Sequence, residues 1–379
     1  MEAEEKIVMN RRHALISYIL IVCSLVIVLV VRAADSRTGD WTLHRSGEPG
    51  KVEFSLITHQ HGGYSHHESD WPVSSFQGLD LSKPGKQDAK FTFTRDAGRF
   101  DCQGYLENGE GAGTFHFAPD PNYAQQMKSL GFPVDQDNQF SMAVMDVSLD
   151  FVRRIKAENL ADLDTDKLIA FRIHGVSPEF IDALRKEGLP VKDSDKLIAF
   201  RIHGVSPEFI DALRKEGLPA KDSDNLIAFR IHGVSPEFID ALRKEGLPVK
   251  DSDNLIAFRI HGVSPEMVHY LHQAGYQPDD DTLIAMRIHG ASPEFIEHLR
   301  KLGYTHVDLE QLIAFRIHGV SPDFIEKLHG LGYKNPSPDE LVAMRIHGVT
   351  PEYIAGLKSR GMKDLSIDQL VSMRIHGID

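Results

Sequence analysis

The stretch "RIHGVSPEF" runs from Arg172 to Phe180, returns letter for letter at Arg201–Phe209 and Arg230–Phe238, and persists in edited copies to the closing "MRIHGID". Its spacing decides the architecture. The leucine of "LIAF" and its variants falls at Leu168, Leu197, Leu226, Leu255, Leu283, Leu312, Leu341 and Leu370, steps of 29 residues with a single step of 28. A fixed period of that size marks stacked supersecondary units, each burying its apolar side against the next.

One unit, 166–194, reads "DKLIAFRIHGVSPEFIDALRKEGLPVKDS". Ser177-Pro178-Glu179 is a helix start: serine caps orphan amides, proline fits the first turn, and glutamate meets the positive end of the dipole. Phe180, Ile181 and Leu184 then share a face. Gly188 ends that helix, with Leu189 placed to pack back. A shorter first helix is expected from roughly Asp166 to His174, stopped by Gly175. Its Leu168, Ile169, Phe171 and Ile173 cover most of the circumference, so it is expected to be the more buried of the two. Helices this short are marginal alone. The sequence therefore predicts a right- or left-winding α-solenoid of 29-residue helical hairpins, with roughly 8–10 Å between packed helices.

The array is expected over residues 119–379: decayed copies at 119–165, regular copies at 166–369 and a terminal half-repeat at 370–379. "FSMAVMDVSLDFVRRIKAENL" (Phe140–Leu160) is a decayed hairpin in which Met145-Asp146 replaces His-Gly. "DPNYAQQMKSLGF" (Asp120–Phe132) reads as a second helix without its first. Central copies are almost identical, which suggests recent tandem duplication. Differences gather at the end of the second helix and the following loop, as at Ala220 against Val191 and Tyr276 against Leu247. That edge is expected to be exposed.

Upstream the period is two. Val52/Phe54/Leu56, Phe91/Phe93 and Phe115/Phe117 alternate with polar residues, and "SGEPGK", "HGGYS", "SKPGKQD", "RDAG" and "ENGEGAG" separate them. Residues 41–118 are thus expected to form a small antiparallel β domain of roughly five or six short strands. Residues 1–34 carry an address. Arg11 and Arg12 precede an uncharged run from Ala14 to Val31, just long enough to span a hydrocarbon core as a helix. The basic flank favours a cytoplasmic N-terminus and an exported remainder. An uncleaved anchor and a signal peptide cut near Ala33 both fit. The fold class expected is α+β multidomain.

The chain has 379 residues, a net charge of −13, 41% hydrophobic and 26% charged residues. This is a globular composition, and its acidity argues against a general binder of nucleic acid or anionic membranes. Cys23 and Cys102 are the two cysteines. No disulfide framework is available within the chain, and Cys102 is either a buried small hydrophobe or an intermolecular bridge.

Each copy repeats an Arg-x-His. The arginines are Arg172, Arg201, Arg230, Arg259, Arg287, Arg316, Arg345 and Arg374; the histidines are His174, His203, His232, His261, His289, His318, His347 and His376. Stacking sets them in two rows that serve as a candidate interaction or stacking ladder. Ligand atoms must lie about 2 Å from a shared ion, so imidazoles one repeat apart cannot readily share one. Scaffolding is the simpler use: histidine at a helix C-terminus meets the dipole, and arginine is expected to pair with a Glu179- or Asp182-type carboxylate next door. A collective titration between about pH 5 and 7 is also compatible. In the β domain "THQHGGYSHHESD" gathers His59, His61, His66 and His67, the candidate metal ligands, in a stretch expected to be a solvated loop. "HHESDW" lacks the second histidine of a zinc-protease motif, and no P-loop, nucleophile elbow or paired catalytic constellation occurs. No cofactor is expected.

Two resemblances add to this reading. The stretch "DAGRFDCQGYLENGEGAGTFHFAPDPNYAQQMKSLGF", followed by copies of "RIHGVSPEFI", resembles the extracytoplasmic tail of bacterial beta-lactam-sensor-like transmembrane metallopeptidases and anti-sigma-type regulators, over roughly residues 90–379. The resemblance implies a bacterial envelope protein; the peptidase half is absent, so no proteolytic role carries over. "IHGVSPEFIDALRKEGL" is similar to a helix-hairpin-helix motif, with Ser177 in place of the second glycine. One unit holds five Lys/Arg against five Asp/Glu, which leaves no basic stripe and makes nucleic acid an unfavoured partner. The expectation is a non-enzymatic, envelope-anchored or periplasmic protein with unidentified protein partners, a membrane contact through residues 14–31, and scope for self-association. The alternatives are a nucleic-acid-binding hairpin array, a metal-binding or hydrolytic β domain with the array as spacer, and a bare structural spacer.

Overall fold

The alternating apolar residues between Trp41 and Phe117 fold as seven strands: β1 Thr38–Arg45, β2 Lys51–Gln60, β3 Gly63–Pro72, β4 Phe76–Gln77, β5 Lys86–Arg95, β6 Gly98–Glu107 and β7 Glu110–Pro119. The computed structural model describes residues 38–60 and 63–378. The 14–31 run lies outside them, and among the described residues no helix is long and apolar enough to cross a membrane. Every strand pairs antiparallel with its neighbours, in the order β3-β2-β1-β7-β6-β5-β4.

Five or six short strands were too few, because glycine-rich stretches that read as turns belong to strands. Gly63–Ser65 opens β3, and Gly111 and Gly113 sit within β7. The glycines have a packing reason. Gly113 pairs with both Trp41 and Gly104. The Trp41 indole donates to the carbonyls of Gln103 (3.2 Å) and Thr114 (3.1 Å) beside them. A Cβ at Gly104 would lie 2.2 Å from the Ala112 carbonyl oxygen. With that backbone bare the sheet curls. Phe54 of β2 meets Phe76 of β4 at 5.0 Å although four strands lie between them, and Trp41 meets Phe91 at 4.9 Å. Cys102 is a free thiol buried in this core, and burial pushes its pKa up.

Helices follow: α1 Pro121–Ser129, α2 Gln136–Val144 and α3 Leu149–Ala157. They close the sheet's lower end. Phe140 packs on Phe117 at 5.2 Å and Phe100 at 6.0 Å, and the buried Gln139 amide donates to the carbonyls of Ala97 (2.8 Å) and Asp120 (2.7 Å). The Tyr123 hydroxyl donates to the Val147 carbonyl, and Asp96 accepts from the Leu149 amide.

The regular copies supply first helices α4 Thr165–His174, α6 Ser194–His203, α8 Ser223–His232, α10 Ser252–His261, α12 Asp280–His289, α14 Leu309–His318, α16 Pro338–Ile346 and α18 Ile367–Ile375. Second helices are α5 Pro178–Lys186, α7 Pro207–Lys215, α9 Pro236–Lys244, α11 Pro265–Gln273, α13 Pro293–Lys301, α15 Pro322–Gly330 and α17 Pro351–Ser359. The chain divides into two compact units between Pro207 and Glu208. Within each, first helices neighbour first helices and second helices neighbour second helices. Local chemistry acts as expected: Asp164 and Ser177 cap helix starts, and Gly175 takes φ +72 at the end of α4.

The burial expected of the first helix fails at one position. Leu168, Ile169 and Phe171 are buried, but Ile173 is 47% exposed. At about 100° per residue, position 173 points some 160° away from Phe171, beyond the reach of either neighbouring helix.

Candidate functional site

The repeated arginine is a link between copies. Arg201 Nε donates to the backbone carbonyl of His174 (3.2 Å), and within the second unit Arg259, Arg287, Arg316 and Arg345 donate in the same way to His232, His261, His289 and His318 at 3.1–3.3 Å. Each acceptor belongs to the last turn of the preceding first helix, where carbonyls lack helical partners and the dipole is negative. The same guanidinium covers the ring opening the adjacent second helix. Centroid distances are 5.0 Å for Arg201 over Phe180, 4.8 Å for Arg230 over Phe209, 4.8 Å for Arg259 over Phe238, 5.0 Å for Arg316 over Phe295, 5.1 Å for Arg345 over Phe324 and 4.8 Å for Arg374 over Tyr353.

This corrects the expected pairing with Glu179- and Asp182-type carboxylates. Glu179 is taken by Arg154 and Asp182 by Arg185, while glutamates at the ends of second helices, Glu158 and Glu216, take Arg185 and Arg243. The first-helix arginine is instead drawn to the carbonyls it faces. Glycine completes the junction, since a Cβ at Gly319 would approach Arg345 Nη2 to 2.9 Å at a φ of +74. In the decayed copy Asp146 holds that place with φ +54 and pairs with Arg172 at 3.2 Å. Arg172 also donates to the Met145 carbonyl and covers Phe151.

The histidines contribute main-chain oxygen to this junction. His174, His203, His232 and His261 are half-buried, whereas His289, His318, His347 and His376 are exposed. Burial holds the imidazoles of His174, His203 and His232 below their ordinary pKa. Among the described residues the one trio of close metal-type ligand atoms is Asp162, Asp193 and Asp195, all exposed, and Lys167 is ion-paired with Asp162 and Asp195.

The stretch expected to be a solvated loop is largely a β2–β3 hairpin, because the strands run on to Gln60 and from Gly63. His61 and the side chain of His59 lie outside the described set. His66 and His67 are adjacent on β3 and so point to opposite faces. His66 Nε2 is 3.6 Å from Glu68 Oε2, which also accepts from Ser55; burial, then the neighbouring His66, depresses His67.

The copy-to-copy differences also sit otherwise than expected. Ala220, Leu247 and Val249 are buried. In later copies tyrosine follows the glycine that ends the second helix, and its hydroxyl reaches the next loop. Tyr276 donates to Val307, Tyr304 to Pro336 and Tyr333 to Leu365 at 2.7–2.8 Å. The change from Gly-Leu to Gly-Tyr was the visible signal for these ties.

An open depression of about 850 Å³ lies on the sheet near the β6–β7 turn, lined by His44, Arg45, Lys86, Tyr105 and Glu110 among others. Its polar groups engage one another: His44 with Glu110 at 3.9 Å, Arg45 with the Asn108 carbonyl, and Lys86 with the Tyr105 ring. Comparison with known proteins finds no matching family model, curated protein or solved structure.

Proposed function

We propose that this chain is a non-enzymatic bacterial envelope protein, held at or exported across the membrane through residues 14–31. Its hairpins, stacked as an α-solenoid, serve as a protein–protein interaction or sensing module. The observation that carries this reading is the arginine junction. The residues most often repeated are engaged between copies, on a carbonyl and a ring, and this supports a scaffold whose outer faces are free to bind. Extended stacks of this kind present long surfaces suited to macromolecular partners. The net charge of −13 weighs against nucleic acid, which is itself a polyanion.

The test is to express the tagged full chain in a bacterium, fractionate the cells and cross-link. Recovery in the envelope fraction with a defined cross-linked protein supports the reading. A chain found wholly in the cytosol, or one binding DNA with a steep salt dependence, overturns it.

A further inference from the structure

Apart from Tyr105 and Ile378, every exposed large hydrophobic residue among the described ones occupies a single position of the repeat. In the second unit these are Ile231, Ile260, Ile288, Ile317, Ile346 and Ile375, 38–57% exposed. The other large apolar groups of the repeat are buried or half-buried, so this row is no by-product of a poor core. Apolar surface concentrated along one line marks a contact surface. Each isoleucine directly follows the arginine of its copy, and Arg259, Arg287, Arg316 and Arg345 have their guanidiniums fixed on the carbonyls of His232, His261, His289 and His318. A cation already held in place loses little freedom when a ligand meets it.

We propose that this isoleucine–arginine row is the docking face for an acidic amphipathic segment of another protein, one apolar side chain meeting each isoleucine and a carboxylate meeting each arginine. The proposal rests on the interaction reading above and names its face and its partner's chemistry. Charge complementarity chooses the occupant. Two copies docked through this face would bring arginine rows together, and like charges brought face to face are penalised. The period fits a helix as well: seven helical residues advance about 10.5 Å, close to the roughly 8–10 Å between packed helices. The expected segment therefore repeats an apolar residue every heptad, flanked by Asp or Glu.

The experiment titrates the full chain with a labelled helical peptide of about three heptads, carrying one leucine per heptad flanked by glutamates. A second peptide keeps the leucines and replaces glutamate by lysine. The acidic peptide should bind at least tenfold tighter than the lysine peptide, and more weakly as salt rises. The triple variant Ile288→Ser, Ile317→Ser, Ile346→Ser should lose tenfold or more with an unchanged melting curve. The helix-favouring triple Ile→Gln change repeats the test should the serine protein melt early, and triple Ile→Val should restore binding. Equal affinity for the two peptides, or indifference to both polar triples, overturns the proposal. So does isoleucine-dependent binding to phosphatidylglycerol vesicles that exceeds peptide binding, which gives the row to a membrane. An isoleucine-dependent dimer gives it to a second copy and is equally fatal. If wild type and the serine variant cross-link the same envelope protein, the row is wrong and the interaction reading survives. If neither peptide nor protein partner binds, that reading fails as well.

Discussion

The sheet and the repeats use the same forces over different distances along the chain. Trp41 makes its two hydrogen bonds to residues 62 and 73 positions away. Arg316 finds its carbonyl 27 positions back, and Tyr304 its carbonyl 32 positions ahead. A sheet core of this kind is a single cooperative object assembled from remote pieces, while each hairpin depends on its immediate neighbours. Damage should therefore spread through the sheet and stay local in the repeats. Both tryptophans, Trp41 and Trp71, lie in the sheet. Tryptophan fluorescence thus reports the sheet, and helical circular dichroism reports mainly the repeats.

The severest break is Phe54→Ala. Phe54 is buried against Trp41, Phe76, Phe91 and Phe93, and removing such a ring costs about 3–5 kcal/mol. The fluorescence transition in denaturant should move far towards lower concentration, with the helical transition moving much less. Equal shifts would show that sheet and repeats unfold together, and the contrast would collapse.

Next is Gly319→Val. A β-branched residue at positive φ costs about 1–2 kcal/mol, and its Cβ also crowds the Arg345 guanidinium. The helical transition should weaken while fluorescence holds. Gly319→Asp should be milder, because aspartate tolerates this conformation and Asp146 already pairs with Arg172 from the equivalent place. If aspartate proves as costly as valine, the junction is not what restricts that position.

These cases show why one region was legible and the other less so. A 29-residue period, Ser-Pro-Glu starts and glycine stops are local signals, so the hairpins and their caps could be read from single copies. The path of Arg316 to a carbonyl was not readable: arginine next to many carboxylates suggests ion pairs, and only the packed direction of α14 against α12 selects the helix end. Ile173 misled because a crowded apolar helix looks buried all round, while its neighbours cover only the Leu168–Phe171 side. In the sheet, alternation located the strands, but the pairing of β1 with β7 depends on glycines at 104 and 113 whose purpose appears only once Trp41 lies over them.

Smaller effects sharpen the picture within the repeats. Arg316→Met loses a charged hydrogen bond to carbonyl and the Phe295 contact. Arg287→Met loses only the first, because Met267 stands where the ring would be. The difference between the two melting shifts should correspond to about 0.5–1 kcal/mol, the worth of an exposed cation–ring contact. Tyr304→Phe should cost about 1 kcal/mol for its lost hydrogen bond, and Leu247→Tyr in an earlier copy should stabilise if its hydroxyl finds the following loop. No change in either would mean that the tyrosine ties contribute nothing to stacking.

The smallest expected effect tests whether the histidines do more than lend their carbonyls. His174, His203 and His232 sit in surroundings that disfavour the charged imidazole. The folded chain therefore binds protons less readily at these sites than the unfolded chain, whose imidazoles titrate near 6.5. Stability contributed in this way is fully present above about pH 7 and declines as pH falls through 6.5 towards the depressed folded values. The carboxylates of Glu237, Glu266 and Glu294 are held low by serine hydroxyls at helix starts, so their loss belongs to a more acid range, below about pH 4.5. The two windows separate. A helical melting temperature that drops between pH 7.5 and 5.5, and flattens in the His174→Gln, His203→Gln, His232→Gln protein, assigns the drop to these imidazoles. A profile already flat in the native chain would mean that their burial is too shallow to matter, and that the repeated histidine acts through its backbone alone.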